Sequence, residues 1–265
     1  MKKFFLLSLA SGAVFALSWP ATGNISFLLL FGFVPLFIIE DEYSNPISAK
    51  SWRSLFGYAY LAFAIWNFCT TWWIYCVTES IVTKLFISGG AIFANALLMS
   101  VPFMAFHFTK KRLGRKEGYI GLLVYWLAFE YFHHNWDMSW TWLTLGHGFA
   151  NYPPLIQWYE FTGPMGGSVW ILLCNILIYE FYRTVILPRK KTADHPVLFS
   201  FLLAVVFIPI GCSLLRYFTY KEKSNPVEIT VVQPNIDPYK KFNEISPAEQ
   251  LDKMLKLAVV HITPV

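Results

Sequence analysis

Charge is the scarcest commodity in this chain of 265 residues: Asp, Glu, Lys and Arg together make up 14%, and the acidic residues number only 16. A water-soluble protein of this length spends about a quarter of its residues on charge, so a soluble globular fold is excluded for most of the chain. Cysteine is sparse as well. The 4 cysteines, Cys69, Cys76, Cys174 and Cys212, stand in or beside apolar runs and make no ligand-spaced cluster. They read as buried thiols, and no metal or cofactor is expected. Cys69 and Cys76 are two turns apart, which puts them on one face of a continuous helix. There is no Gly-rich phosphate loop and no basic patch of the nucleic-acid type, so no nucleic-acid partner is expected.

Apolar residues fill the space that charge leaves. They make up 56% of the chain, aromatic rings alone 19%, and the mean hydropathy is +0.47. About seven apolar segments follow one another at 4–18, 25–39, 55–76, 85–108, 119–134, 168–187 and 197–216. This is the pattern of a polytopic transmembrane helix bundle. The first two segments are short for a crossing of ~20 residues and suit a tilted pair or a re-entrant hairpin. Lys2 and Lys3 before Phe4–Leu17 imitate a signal peptide, but no small-x-small cleavage site follows, so the segment reads as a retained helix. Asn67, Glu130, Asn175 and Glu180 lie within or near the ends of spans. Such groups are costly in lipid and should face the bundle or reach the interface.

Lys and Arg set the orientation. With a cytoplasmic N-terminus and alternating sides, the inner regions up to residue 216 hold thirteen of them and the outer loops hold only Lys84. That places the stretch Trp136–Ser168 outside, together with everything beyond residue 220. The stretch carries Trp136, Trp140, Trp142, Tyr152, Trp158 and Tyr159, stiffened by Pro153, Pro154 and Pro164. Amphipathic rings gather where hydrocarbon meets water. One reading is an aromatic belt that anchors two helices; the sharper one is a structured lid that holds lipid at the membrane surface.

The composition changes after residue 220, which divides the chain into 1–220 and 221–265. Val227–Val232 is a short β-branched run that reads as a buried strand. Ser246-Pro-Ala-Glu249 is a capping box with Pro at the first helical position, followed by Leu251, Met254, Leu255, Ala258 and Val259 on one face. His261–Val265 reads as the start of something extended. Strand, helix and extended segment are the opening of an α/β domain, and roughly forty residues cannot build an independent core. The chain is therefore expected to be incomplete.

The order of these parts resembles the apolipoprotein N-acyltransferase family. The residues that carry the resemblance are Trp140-Thr-Trp-Leu-Thr-Leu-Gly146, Pro154–Gly163 and Val231-Val-Gln-Pro-Asn-Ile236. Members commonly have proline where Thr141 stands and many have glycine where Pro234 stands. A tryptophan important for their activity aligns with Phe242. The resemblance implies a bacterial inner-membrane enzyme with an outward nitrilase-like αββα domain and a Glu-Lys-Cys triad whose members all fall beyond Val265. The phospholipid acyl donor would be phosphatidylethanolamine, and the acceptor the α-amine of a diacylated lipoprotein cysteine. It further implies substrate-binding roles for Trp140, Trp142, Tyr152 and Phe242, and no catalysis by this chain alone.

Other chemistry is weakly supported. The spacing of Glu130, His133 and His134 puts the carboxylate and one imidazole on the same helix face and could begin a metal site, but no third and fourth ligand is evident, and a polar interfacial helix end accounts for them better. His107 and His147 read as packing or interface residues, and Asp137 and Glu160 as solvated surface. A transporter or channel subunit, or a non-catalytic lipid-binding membrane protein, is the alternative.

Overall fold

The computed structural model describes residues 2–45, 50–76, 80–222, 224–227, 229–237, 240–241 and 244–262. By contacts the chain divides into two units, Met1–Tyr220 and Lys221–Val265.

The first unit is helical. Its elements are α1 (Lys2–Ser18), α2 (Val34–Ser44), α3 (Trp52–Thr71), α4 (Ile81–Leu113), α5 (Arg115–His134), α6 (Tyr159–Phe181) and α7 (Pro196–Thr219). Each apolar segment read from the sequence carries one of them. Among the described residues three helices are long and apolar enough to cross a membrane: α4, α6 with the π turn Tyr182–Ile186 that extends it, and α7. Ser51 and Ser80 cap α3 and α4 through their hydroxyls, which accept from Arg53 N at 3.3 Å and Thr83 N at 3.2 Å.

The second apolar segment is not one helix. A 3₁₀ turn, Ser26–Phe31, gives way to α2 around Gly32 and Phe33, with Pro35 in the first turn of α2. A break in apolar surroundings leaves backbone groups that need partners. Asn175 on α6 supplies them: Phe33 N–H donates to its Oδ1 at 2.8 Å, and its Nδ2 donates to Leu29 O at 2.9 Å.

Aromatic rings make the core. Phe33 meets Phe15 and Trp126 edge-on, each at 4.9 Å between centroids, and Phe15 stacks on Trp66 at 4.6 Å. Phe37, Phe63, Phe103 and Phe106 continue the cluster between α2, α3 and α4. Helices α1 and α3 approach closely at Gly12, where a Cβ would sit 2.8 Å from Ala62 O. Helix α7, by contrast, packs along little of its surface, and of its residues only Ser213 is buried.

At one end of the bundle four helix ends are tied by charge. Glu40 on α2 is fully buried and bonded to Lys110 on α4, with His107 Nδ1 at 2.9 Å. Lys110 also reaches Asp41. Arg115 on α5 joins Asp41 at 2.9 Å to Glu180 on α6 at 3.0 Å, and Arg183 holds Glu180 at 2.8 Å.

Three expectations are corrected here. Only Cys174 is buried; Cys69 is half-buried, and Cys76 and Cys212 are exposed, because Cys76 lies in a 3₁₀ turn beyond α3 and α7 presents most of its surface outward. Cys69 and Cys76 therefore share no continuous helix. The described residues of Val227–Val232 adopt no strand, since no second strand among the described residues offers them a ladder.

In the second unit α8 (Pro247–Ile262) begins at the expected capping box: Ser246 N–H donates to Glu249 Oε2 at 2.9 Å, and Glu249 N–H to Ser246 Oγ at 3.2 Å. The helix continues through His261 and Ile262, where the sequence suggested extended chain. Residues 263–265 fall outside the described residues.

Candidate functional site

The aromatic stretch runs as irregular chain from Asn135 to Trp158, with 3₁₀ turns at Thr141–Leu143, Leu145–Phe149 and Pro153–Leu155. Helix α6 then starts nine residues before the expected apolar run at 168–187, with a kink at Gly163. This residue sits at φ 63°, a left-handed conformation that glycine adopts without strain. Pro164 follows as a helix-starting residue.

The stretch is pinned at several points. Glu130 Oε1 at the end of α5 accepts from Trp126 Nε1 at 3.0 Å and from Leu145 N at 2.8 Å, so one buried carboxylate joins helix and loop. His134 Nε2 lies 2.9 Å from Thr144 Oγ1. Gly146 N–H donates to Ser168 Oγ at 3.0 Å, and Tyr159 Oη to Gly146 O at 3.0 Å. A Cβ at position 146 would run into the Pro164 carbonyl, which is the physical reason for glycine at the end of the Trp140–Gly146 motif. Leu143, Leu145 and Phe149 are buried beneath. Burial holds the His147 imidazole below its ordinary range, against the opposing pull of the Thr141 carbonyl.

The proposed substrate residues occupy different sides of this platform. Trp142 projects outward, 55% exposed, with its ring edge-on to Trp73 at 5.2 Å. Trp140 lines a cleft against α4. Tyr152 is tied to the turn after α1, where its Oη donates to Asn24 O at 2.8 Å and its ring faces Phe27. Phe242 lies outside the described residues.

The cleft beside Trp140 has a volume of about 190 Å³ and is lined by Ala91, Ala94, Asn95 and Leu98 of α4, His133 of α5, and Trp136, Met138 and Trp140. Glu130 and His133 thus sit at the junction of helix, loop and cleft. Among the described residues no group of three or more His, Cys, Asp or Glu is placed to hold a metal ion.

Two features escape the sequence reading. Asn95 donates to Asn67 Oδ1 at 2.6 Å across α3 and α4, a pairing that only the packing reveals. Glu40 and Asp41 belong to the charged cluster, although they follow an apolar run and look like loop residues. Asn67, Asn175 and Glu130 are buried inside the bundle, and Glu180 is held by Arg115 and Arg183, as the sequence led one to expect.

A bundle containing three helices fit to cross a bilayer, with its polar groups turned inward and an aromatic platform at one end, defines a polytopic membrane protein. Residues 11–177 match the family described as apolipoprotein N-acyltransferase N-terminal domain, and the chain belongs to that family. It is similar to the apolipoprotein N-acyltransferase of Chlorobaculum tepidum, with 27% identity over 97% of this chain and 46% of the relative. The Geobacter metallireducens enzyme of the same name is 26% identical over 89% of this chain and 44% of its own length. That of Thermotoga maritima is 25% identical over 93% and 46%. The chain thus spans a little under half the length of the curated relatives it matches. No solved structure matches it.

Proposed function

We propose that this chain is the membrane part of an apolipoprotein N-acyltransferase of the bacterial inner membrane. It would serve transfer of an acyl chain from phosphatidylethanolamine to the α-amine of a lipoprotein's N-terminal diacylglyceryl-cysteine. The single observation that carries this reading is the family match over residues 11–177, which leaves the transporter alternative unsupported. In this reading all seven segments traverse or enter the bilayer, and the N-terminus is cytoplasmic. The Trp136–Ser168 platform and residues 221–265 lie outside, the latter as the opening of a nitrilase-like domain.

The loop geometry suggests how the membrane part contributes. Trp142 and Trp140 present rings at the level where ester groups and water meet, on a platform fixed by Glu130 and Ser168. A fixed platform orients a lipid ester more effectively than a mobile flap, because less freedom is lost when lipid binds. The family's thioester chemistry needs a thiolate, a base and oxyanion donors in one site. The four cysteines here lie in or just beyond α3, α6 and α7, so this chain by itself carries no acyl group.

The test joins this chain to the C-terminal half of the Chlorobaculum tepidum relative. The chimaera should form a hydroxylamine-sensitive thioester from alkynyl phosphatidylethanolamine, whereas this chain alone should form none. Trp142→Ala in the chimaera should slow thioester formation roughly tenfold at unchanged abundance, the worth of about 1.4 kcal/mol in the barrier. Equal rates at equal abundance would reject the lipid-contacting role of Trp142.

A further inference from the structure

A second cavity adjoins the Trp140 cleft, shares Asn95, His133 and Trp140 with it, and reaches inward to Glu130 and Thr144. Its volume is about 10 Å³. A space of that size takes one water molecule and no carbon chain.

The polar groups around it are deeply buried. Glu130 is 2% exposed, His133 3% and Asn95 4%. Glu130 Oε1 is taken by Trp126 and Leu145, whereas Oε2 has no partner among the described residues. The Ser168 hydroxyl also lies near this carboxylate, but its proton is directed to Pro164 O at 3.5 Å. The orientation of Asn95 is fixed by its neighbour. Asn67 Nδ2 donates to Phe63 O at 2.8 Å, so Asn67 offers Asn95 an oxygen, and Asn95 meets it with Nδ2 at 2.6 Å. That leaves Asn95 Oδ1 bare. Both ring nitrogens of His133 are bare as well, and its ring is held edge-on by Phe129 at 4.5 Å and Trp136 at 5.3 Å. The inventory is two acceptor oxygens and one imidazole, which in its neutral form has one N–H to donate. Buried polar groups without partners are rare in native proteins, and here three of them line one small space.

We propose that this cavity is the binding site of a single structural water molecule. The water donates to Glu130 Oε2 and to Asn95 Oδ1 and accepts from the His133 nitrogen that carries the proton. Three hydrogen bonds are the usual number for a buried water. Its second lone pair faces the wall where the Trp140 indole N–H is also bare. A metal ion fits less well, because it would take lone pairs only and leave the imidazole proton without an acceptor. The site also has a mechanical role. A carboxylate anchored at Oε2 keeps Oε1 aimed at the Leu145 N–H, so Asn95 and His133 are positioning residues that act through the water and Glu130 on the Trp140–Gly146 motif.

The purified 265-residue chain, crystallised in lipidic mesophase, gives the direct test. One density peak should stand about 2.6–3.2 Å from Glu130 Oε2, Asn95 Oδ1 and a His133 nitrogen. It should carry no anomalous signal after a soak in a thallium(I) salt. Hydrogen–deuterium exchange over residues 140–146 tests the mechanical role. Asn95→Leu and His133→Phe should each speed exchange of the Leu145 amide roughly tenfold, and the double variant by about tenfold again no more than either alone, since both remove the same water. An anomalous peak at the site, a cavity without density, or a direct bond from Ser168 or His133 to Glu130 Oε2 overturns the proposal. So do unchanged exchange in the single variants and effects that multiply towards a hundredfold in the double. Should a variant fail to fold, the density in the unaltered chain decides.

Discussion

Asn175 shows how much one side chain does inside an apolar bundle. It is fully buried, and it satisfies the Phe33 N–H that the broken second segment would otherwise leave bare. Asn175→Leu keeps the volume and removes the partner. We expect it to lower stability by about 1–3 kcal/mol in a reversible unfolding titration in mixed micelles. Glu249 makes the opposite kind of contribution, local and in water. The Ser246 N–H and hydroxyl hold its carboxyl below the ordinary value of 4.5. Because the folded value is the lower one, the stabilisation of α8 is present above about pH 4.5 and fades as pH falls through the folded value. Ser246→Ala removes the hydroxyl and keeps the N–H, so the Glu249 titration, followed by NMR, should move part of the way back towards the ordinary range. The capping box is legible because its two partners stand three residues apart. Asn175 and Phe33 are 142 residues apart, and nothing in the sequence couples them.

At the scale of elements, the helices follow the apolar segments, whereas their ends and interruptions follow other causes. Hydropathy finds 25–39 as one run, but Gly32 and Pro35 split it. It stops α4 at residue 108, yet the helix continues to Leu113 and turns into α5 through Gly114 alone, at φ 118°. Charged residues can extend a helix past the apolar region, and no hydropathy window registers them. Helix α7 shows a repair across elements. Pro209 has no N–H to give to the carbonyl four residues back, that of Val205, and Trp170 Nε1 of α6 donates there at 2.8 Å. Trp170→Phe should therefore destabilise the α6–α7 contact in the presence of Pro209 and much less in a Pro209→Ala background. A double-mutant cycle on thermal stability should give a coupling of about 1 kcal/mol; additive effects would show that the indole bond contributes nothing.

On the scale of the whole molecule, the ends of α2, α4, α5 and α6 are gathered by the cluster around Glu40, Asp41, Lys110, Arg115 and Glu180. Lys110→Met strands Glu40 in a buried setting and should cost about 3–5 kcal/mol, most of it recovered when Glu40→Gln is added. A surface pair such as Glu160–Arg216, 3.0 Å apart and about half exposed on both sides, should show almost no such coupling. The sidedness is tested separately. In a cysteine-free background, single cysteines at Ser139 and Ser224 should react with an impermeant maleimide in intact spheroplasts, and one at Ser51 only after lysis. Reaction at 139 without 224 would reject the proposed topology. The proposed sidedness is drawn from Lys and Arg alone, whose placement is a bulk property of loops that a sequence displays directly. The cleft is not displayed in that way, because its alanines and orphaned nitrogens come from α4, α5 and the loop and acquire meaning only when packed.

The break at Phe33 also imposes an order in time. A ribosome adds roughly 5–20 residues each second, so the 142 residues between Phe33 and Asn175 take about 7–30 seconds to emerge. On the proposed topology, in which the second segment enters the bilayer, it has for that interval no partner for its bare amide and cannot rest in hydrocarbon at low cost. It must wait at the translocon or the wet membrane surface until α6 is made. Insertion of this protein is thus completed from behind, and chains halted before residue 175 should leave residues 25–44 reachable by water-soluble reagents that the finished bundle excludes.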